Sequence, residues 1–477
     1  MKNYYEGENL TQDAVHGFIP ICAPKSDDAP DETTERDIVD SAWFQRLRQI
    51  YQLQTAWLVY PTAEHSRFQH SLGTMHLASR MIDKLFPSLE EETAADDNLP
   101  SRAYVESLVR IAGLLHDIGH GPFGHFFDSH FLCDFDLTHE KMGAEIIRRE
   151  LAGLIRGVRR NPSGRLRDNE TLDPEQVAFL IVRPEKNESS EIPNWLRLLR
   201  TIFCGLYTVD NMDFVLRDAY MTGFIPNSFN LNRLLHYSFF TKQGLTIHQK
   251  GFSTLVQFLT MRAELFRSIY FHRTVRSVDL TLTELFEKSK AKIFPLRGGG
   301  PRNPIENLDE YRYLTDRSLM IDVASWDRSD DPIKRELASE WNDFLLRKMP
   351  WKLAAETTAV FLSTDNEQTS VFSDPVLFEA AIRSKLPPEL KGIEMKVDIA
   401  RHLHRPGSHL PTAHQNFLYD SDFNCVKPLD ADDLFRHIPQ SFKICRVYTR
   451  ESQHHLAIAE SFRKLVSSVG GDELTNM

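Results

Sequence analysis

The chain has 477 residues, 41% of them apolar and 26% charged, a composition that supports sizeable hydrophobic cores and an ordinary globular protein of roughly two or three domains. Its net charge of −11 disfavours wrapping of bulk nucleic acid and fits small anionic ligands better than long ones. Five scattered cysteines without a CxxC pair exclude a disulfide framework and a thiolate zinc site, while no apolar run spans a bilayer and the start, Met1-Lys2-Asn3-Tyr4-Tyr5-Glu6, lacks a signal-peptide layout, so a cytoplasmic location is expected.

From about Asp40 to about Lys292 apolar residues recur at helical spacing, as in Phe44, Leu47, Ile50 and Tyr51, or Leu255, Phe258, Leu259 and Leu265. The acidic run Glu90 to Asp97 reads as a solvated loop. One interruption, Leu234–Phe240 and Leu245–Gln249 around Thr241-Lys242-Gln243-Gly244, predicts a hairpin. Three glycines and three prolines between Phe294 and Pro304 cannot continue a helix and mark a loop or linker. Helices follow at 307–326 and 331–348. The alternation Ile393 to Ile399 predicts a half-buried strand that Lys443–Tyr448 can pair with, and Gln453–Ser467 returns to helix. The expected fold class is mainly α: a helical core with a small β-hairpin insert at 1–292, a loop or linker at 293–306, and a C-terminal α+β region at 307–477.

The richest stretch chemically is Leu114 to His125, LLHDIGHGPFGH. Its adjacent His116-Asp117 pair supplies a nitrogen and an oxygen ligand, a mixture that suits a borderline or hard divalent ion and not a thiophilic one. Alone, the pair is as well explained by satisfied polar residues at a helix end. Arg67 and His70, three apart, share one helical face, so one can bind a metal while the other reaches an anion. Downstream, Asp210 follows an apolar approach, and Asp213 and Arg217 are spaced for a surface i,i+4 ion pair. His402, His404, His409 and His414 sit in a stretch with Pro and Gly that reads as an exposed loop.

The ordered set His70, His116-Asp117 and Asp210 resembles the HD-domain superfamily of metal-dependent phosphohydrolases. The strings RFQHSLG, HDIGHGPFGH, THE (138–140), VDNMDFVLRD and IYFHR (269–273) resemble its dNTP triphosphohydrolase branch, whose animal members add a SAM domain. QDAVHG (12–17), DSAWFQRLRQIYQL (40–53), YLTD (313–316) and SFKICRVY (441–448) extend the likeness over nearly the whole chain. The resemblance implies His70, His116, Asp117 and Asp210 as ligands of one divalent ion (Mn, Fe, Mg or Zn), with Arg67 on the α-phosphate. It implies His120, His125 and His139 as proton carriers and phosphate contacts, His125 protonating the leaving oxygen and Glu140 tuning a histidine. Gln52, Leu53, Asp218 and Tyr270 fall at the deoxyribose, and Arg262 and His272 at the phosphates or pocket wall.

Three positions depart from the branch's animal members. Asn211 stands for a lysine on the terminal phosphate, Phe214 for a tyrosine at the sugar, and Phe271 for a polar residue at the base. Asp40, Gln45 and Arg48 match a regulatory guanine-nucleotide site, and Arg233, Lys348 and Lys352 fall near a second, so nucleotide-driven assembly of a homo-oligomer, dimer or tetramer, is implied, although the branch's N-terminal lysine has no counterpart at Asn9. The function implied is hydrolysis of a dNTP to deoxynucleoside and triphosphate by metal-activated water at the α-phosphate. Its alternatives are a phosphodiesterase or nuclease acting on a nucleotide messenger or short single strand, which would release monophosphates, and an inactive nucleotide-sensing oligomer.

Overall fold

The computed structural model describes residues 5–95, 98–183, 192–224, 229–294, 303–362, 367, 370–404 and 416–470. They form a mainly helical protein with small sheets, organised as two compact units that interleave in sequence: one holds the stretches to Leu265, Lys290–Asp322 and Ser408–Asp432, the other Phe266–Ser289, Val323–Gly407 and the chain from Asp433 on. The division at 293–306 drawn from the Gly/Pro run remains a proposal, and most of that run lies outside the described residues.

The first unit opens with a hairpin, Glu8–Asp13 paired antiparallel with Gly17–Cys22, that helical periodicity did not announce. Its core is built on the helices Arg67–Glu92 and Arg102–Leu115, which pack on each other and bury Met75, Leu77, Met81, Leu85, Leu108, Ile111 and Leu115 completely. Their starts follow from their sequences. Ser66 and Gln69 form a reciprocal capping box, and the Ser101 side chain accepts from the Tyr104 backbone N–H, each satisfying donors that a helix start leaves open. Thr138 caps His139–Ile146, and Thr208 caps Val209–Met221, in the same way.

Glu90–Glu92 close the long helix and do not stand in a loop, whereas Asp96 and Asp97 lie outside the described residues. The expected hairpin is present as Ser238–Thr241 and Gly244–His248, but Leu234–His236 belong to a short helix capped by Asn230. The hairpin continues into a four-stranded sheet, because Gly244–His248 also pairs in parallel with Asn416–Asp420, which pairs with Cys425–Pro428.

The second unit holds an antiparallel sheet with Ser441–Thr449 between Lys352–Phe361 and Met395–Leu403. Cys445 and Val447 pack with Phe378, Ile382, Ile458 and Phe462 from the helices Pro375–Lys385 and His455–Gly470. His402 is a correction to the exposed-loop expectation. It lies in the Met395–Leu403 strand and is buried against Phe266 and Phe442, since alternation places it on the covered face. His409 and His414 lie outside the described residues.

Candidate metal centre and its histidine cluster

Three capped helices deliver the four expected ligands. His70 sits in the first turn of Arg67–Glu92, His116 directly follows the last turn of Arg102–Leu115, and Asp210 is in the first turn of Val209–Met221. His70 Nε2 lies 3.2 Å from His116 Nε2 and 3.0 Å from Asp210 Oδ1. Asp117 Oδ1 is 3.4 Å from His116 Nε2, and one ligand atom each from His70, His116 and Asp117 fit within 4.8 Å of one another. Ligands about 2.0–2.2 Å from a single ion stand close to these separations from each other.

The unused ring nitrogens fix the imidazoles. His116 Nδ1 is 2.8 Å from the Gly113 carbonyl oxygen, and His70 Nδ1 is 2.8 Å from Asp213 Oδ2. With Nδ1–H donated in both cases, each Nε2 lone pair faces the shared centre, the arrangement a metal-binding histidine requires. The donor set therefore fits a divalent ion. Burial opposes the charge on His70, but Asp210 and Asp213 outweigh it and raise its pKa to about 10, so a divalent ion would compete with a proton for Nε2. Asp117 is held well below the usual carboxylate range, since Arg67, His116 and His120 overcome the cost of burial.

Asp213 and Arg217 form an ion pair as expected, but a buried one. Asp213 is fully buried and Arg217 2% exposed, because Asp13 and His16 of the N-terminal hairpin cover them. His16 Nε2 lies 2.6 Å from Asp213 Oδ1, and Arg217 bonds both Asp213 and Asp13. Sequence reasoning left Asp13 and His16 without a role, although both lie in the matched QDAVHG string.

Beside the centre, Arg67 Nη1 bonds Asp117 Oδ2 at 2.6 Å, while its buried Nε has no hydrogen-bond partner among the described residues. Next to it stand three histidines. His120 stacks on His139 with ring centroids 3.7 Å apart, and His125 meets both rings edge-on. Asp128, which sequence reasoning missed despite its i+3 spacing from His125, gathers them: its Oδ2 is 2.6 Å from His139 Nδ1 and 3.3 Å from His125 Nδ1. Burial works against the His139 cation, yet Asp128 and Glu140 raise its pKa. Burial, Arg67 and His139 hold His120 well below the usual histidine range, which favours its neutral form. Exposure is graded, from His70 at 1% through Asp210 at 40% to His125 at 60%, so solvent reaches the centre past Asp210 and His125.

Other expected site residues of this unit distribute as follows. Leu53 is 7% exposed, and Gln52 Oε1 is buried without a partner among the described residues. Asp218 Oδ1 is 2.7 Å from His65 Nε2. Asn211 Nδ2 and Arg262 Nη1 both turn to the Leu206 carbonyl, and Phe214 is half-buried. Tyr270, Phe271 and His272 belong to the second unit. Among the regulatory candidates, Arg48 bonds Gln45 and lies 3.5 Å over the Phe68 ring, while Asp40 pairs with Arg36. Arg233 lies in the same unit, against the Lys250 carbonyl, whereas Lys348 and Lys352 lie in the second. Among the described residues, no helix is long and apolar enough to cross a membrane.

Residues 67–181, which carry three of the four ligands and the histidine cluster, match the HD domain family model. The chain is 27% identical over 409 residues to the uncharacterized protein YwfO of Bacillus subtilis, covering 84% of this chain and 82% of that one. It is 25% identical over 451 residues to the deoxynucleoside triphosphate triphosphohydrolase SAMHD1 of Bos taurus, covering 88% and 73%. A solved structure of a hypothetical protein from Aquifex aeolicus shares the fold at a TM-score of 0.67 and 21% identity, over 95% of this chain and 99% of that one. Residues 67–181 thus carry an HD domain, and the likeness to SAMHD1-like relatives over most of the chain supports a metal-dependent phosphohydrolase of the HD-domain superfamily.

Proposed function

We propose that the protein hydrolyses deoxynucleoside triphosphates to deoxynucleoside and intact triphosphate. The observation that carries this reading is the placement of a guanidinium and a cluster of imidazoles beside a four-ligand centre: Arg67 is anchored to Asp117 by Nη1 while its Nε has no hydrogen-bond partner among the described residues, and His125 stands 60% exposed over Asp128.

A divalent ion held by His70, His116, Asp117 and Asp210 would lower the pKa of a bound water and neutralise charge on the α-phosphate. Arg67 binds a phosphate oxygen by charge-assisted hydrogen bonds. Water adds to the α-phosphorus in line as the bond to O5′ breaks, so both oxygen atoms change partners in one displacement. His125 protonates the departing O5′, Asp128 orients His125 and His139, and Glu140 supports His139. Gln52, Leu53 and Asp218 line the proposed deoxyribose pocket, where a tight 2′ wall selects the deoxy sugar by lost space. Asn211 and Phe214 leave this pocket one cation and one hydroxyl poorer than in SAMHD1-like relatives, which favours the second reading, a phosphodiesterase or nuclease.

Incubation with Mn or Mg and a panel of dNTPs, NTPs, cyclic dinucleotides and short DNA, followed by chromatography, separates the two. Intact triphosphate supports the first reading, and monophosphates support the second. His116→Ala and Asp117→Ala abolish either activity. The regulatory reading of Asp40, Gln45, Arg48, Arg233, Lys348 and Lys352 predicts a larger mass in solution when dGTP is added, and an unchanged mass removes it.

A further inference from the structure

Asp316 is fully buried and lies about 135 residues beyond the end of the HD-domain match, yet its two carboxylate oxygens are spent on the walls of the candidate site. Oδ2 accepts the Tyr51 backbone N–H at 2.8 Å, and Oδ1 accepts the Phe123 backbone N–H at 2.5 Å. These two amides belong to different loops. Tyr51 precedes Gln52 and Leu53, and its strand-like segment is tied to the start of the Arg67 helix: Tyr51 bridges Ser66, Gln52 N–H donates to the His65 carbonyl, and Arg67 N–H donates to the Ile50 carbonyl. Phe123 lies in the turn between His120 and His125.

That turn is held in a conformation it would not choose. Phe123 has φ +59° and Gly124 φ +54°, a left-handed pair that costs a non-glycine residue energy unless the surroundings enforce it. Gly124 also leaves the space that Arg67 fills, since a Cβ there would sit 2.4 Å from Arg67 Nη2. The segment leading to Asp316 reinforces the same turn: the Tyr311 hydroxyl donates to the Gly119 carbonyl at 2.8 Å, and Arg46 Nη2 donates to the Leu314 carbonyl while its guanidinium lies over the Tyr311 ring.

We propose that Asp316 is a positioning residue: by capturing the Tyr51 and Phe123 amides with one rigid carboxylate it fixes the spacing between the loop that carries Gln52 and Leu53, which is tied to the start of the Arg67 helix, and the turn that carries His120 and His125. The inference rests on the proposed hydrolysis for its kinetic consequence, but not for its structural one. Substrate grip sits on one loop and proton transfer on the other, so a loosened brace degrades their alignment more than either alone. A displacement of about 1 Å at a reacting pair costs on the order of 100-fold in rate.

Asp316→Asn keeps the volume and one acceptor but faces an NH2 group toward one of the two amides. Tyr311→Phe removes only the hydroxyl bond to Gly119 and guards against a variant that fails to fold. Hydrogen exchange followed by mass spectrometry on the metal-loaded full chain is expected to show faster exchange at 118–125 in Asp316→Asn, and a smaller increase in Tyr311→Phe, with metal content unchanged. Steady-state kinetics on the best substrate is expected to show kcat reduced about 10-fold or more with KM moved less than threefold. Unaltered exchange at 118–125 in Asp316→Asn, or altered exchange with kcat within twofold of the parent, overturns the proposal. If the parent hydrolyses no nucleotide in the panel, the proposed function fails, and the exchange comparison alone decides whether the brace exists.

Discussion

His70 shows how a single side chain at this centre depends on partners that the ligand pattern does not reveal. Its Nε2 points at the centre because Asp213 takes its Nδ1–H, and Asp213 is itself held by His16 and Arg217. Asp213→Asn removes the carboxylate that sets this tautomer, so divalent-ion affinity measured by chelator competition is expected to fall by about 10- to 100-fold with the helix content retained. An unchanged affinity would show that His70 needs no such support. Asp316 carries a second residue-level prediction. Burial pushes its carboxyl up from the ordinary 3.8 to about 7, against the pull of the Tyr51 and Phe123 amides and of Arg67 and Arg46. The folded chain thus holds this proton more tightly than the unfolded chain, so the group favours folding below about pH 4 and that contribution is lost as pH rises through 7. Between pH 4 and 7 the Tm of the parent should lose more than that of Asp316→Asn, whatever the offset between the two curves; parallel curves would contradict it.

At the scale of elements, the expected ligands were legible because the ordered strings that carry them, RFQHSLG, HDIGHGPFGH and VDNMDFVLRD, resemble a known family; the structure adds that His70 and Asp210 stand in first turns behind the Ser66–Gln69 capping box and the Thr208 N-cap. The partners behind them were not legible. Asp13 and His16 act from a hairpin whose first strand, Glu8–Asp13, has no fully buried residue and so leaves little apolar signal, and Asp128 reads as an ordinary helix residue until the fold turns His139 toward it. The HD loop also relies on a close approach that no periodicity encodes. A Cβ on Gly119 would fall 2.1 Å from the His139 carbonyl oxygen and 2.4 Å from the Gly143 nitrogen, so this glycine lets the loop lie against the His139–Ile146 helix and brings His120 onto His139. Gly119→Ala must push these backbones apart, at a cost of about 1–3 kcal/mol from overpacking. The expected readout is a lowered Tm together with lost activity, and a variant with the parent's Tm would refute the close packing.

For the whole molecule, the helical class and two of the C-terminal strands follow from periodicity, and the Lys443–Tyr448 strand does pair with the one that begins at Met395, whereas Lys352–Phe361, on its other side, was not read from the sequence. What local pattern could not give is the interleaving. Asn416–Asp420 adds in parallel to a hairpin some 170 residues earlier, and Tyr311–Asp316 returns to brace a turn near residue 120, because such contacts are chosen by tertiary packing and not by neighbouring residues. In the proposed reaction water adds at the α-phosphorus and the O5′ bond breaks. Hydrolysis of a dNTP in 18O-labelled water, with products resolved by mass spectrometry, tests it directly. One heavy oxygen is expected in an intact triphosphate and none in the deoxynucleoside; label in a nucleoside monophosphate, in the deoxynucleoside, or in free orthophosphate would contradict attack at the α-phosphorus with loss of O5′.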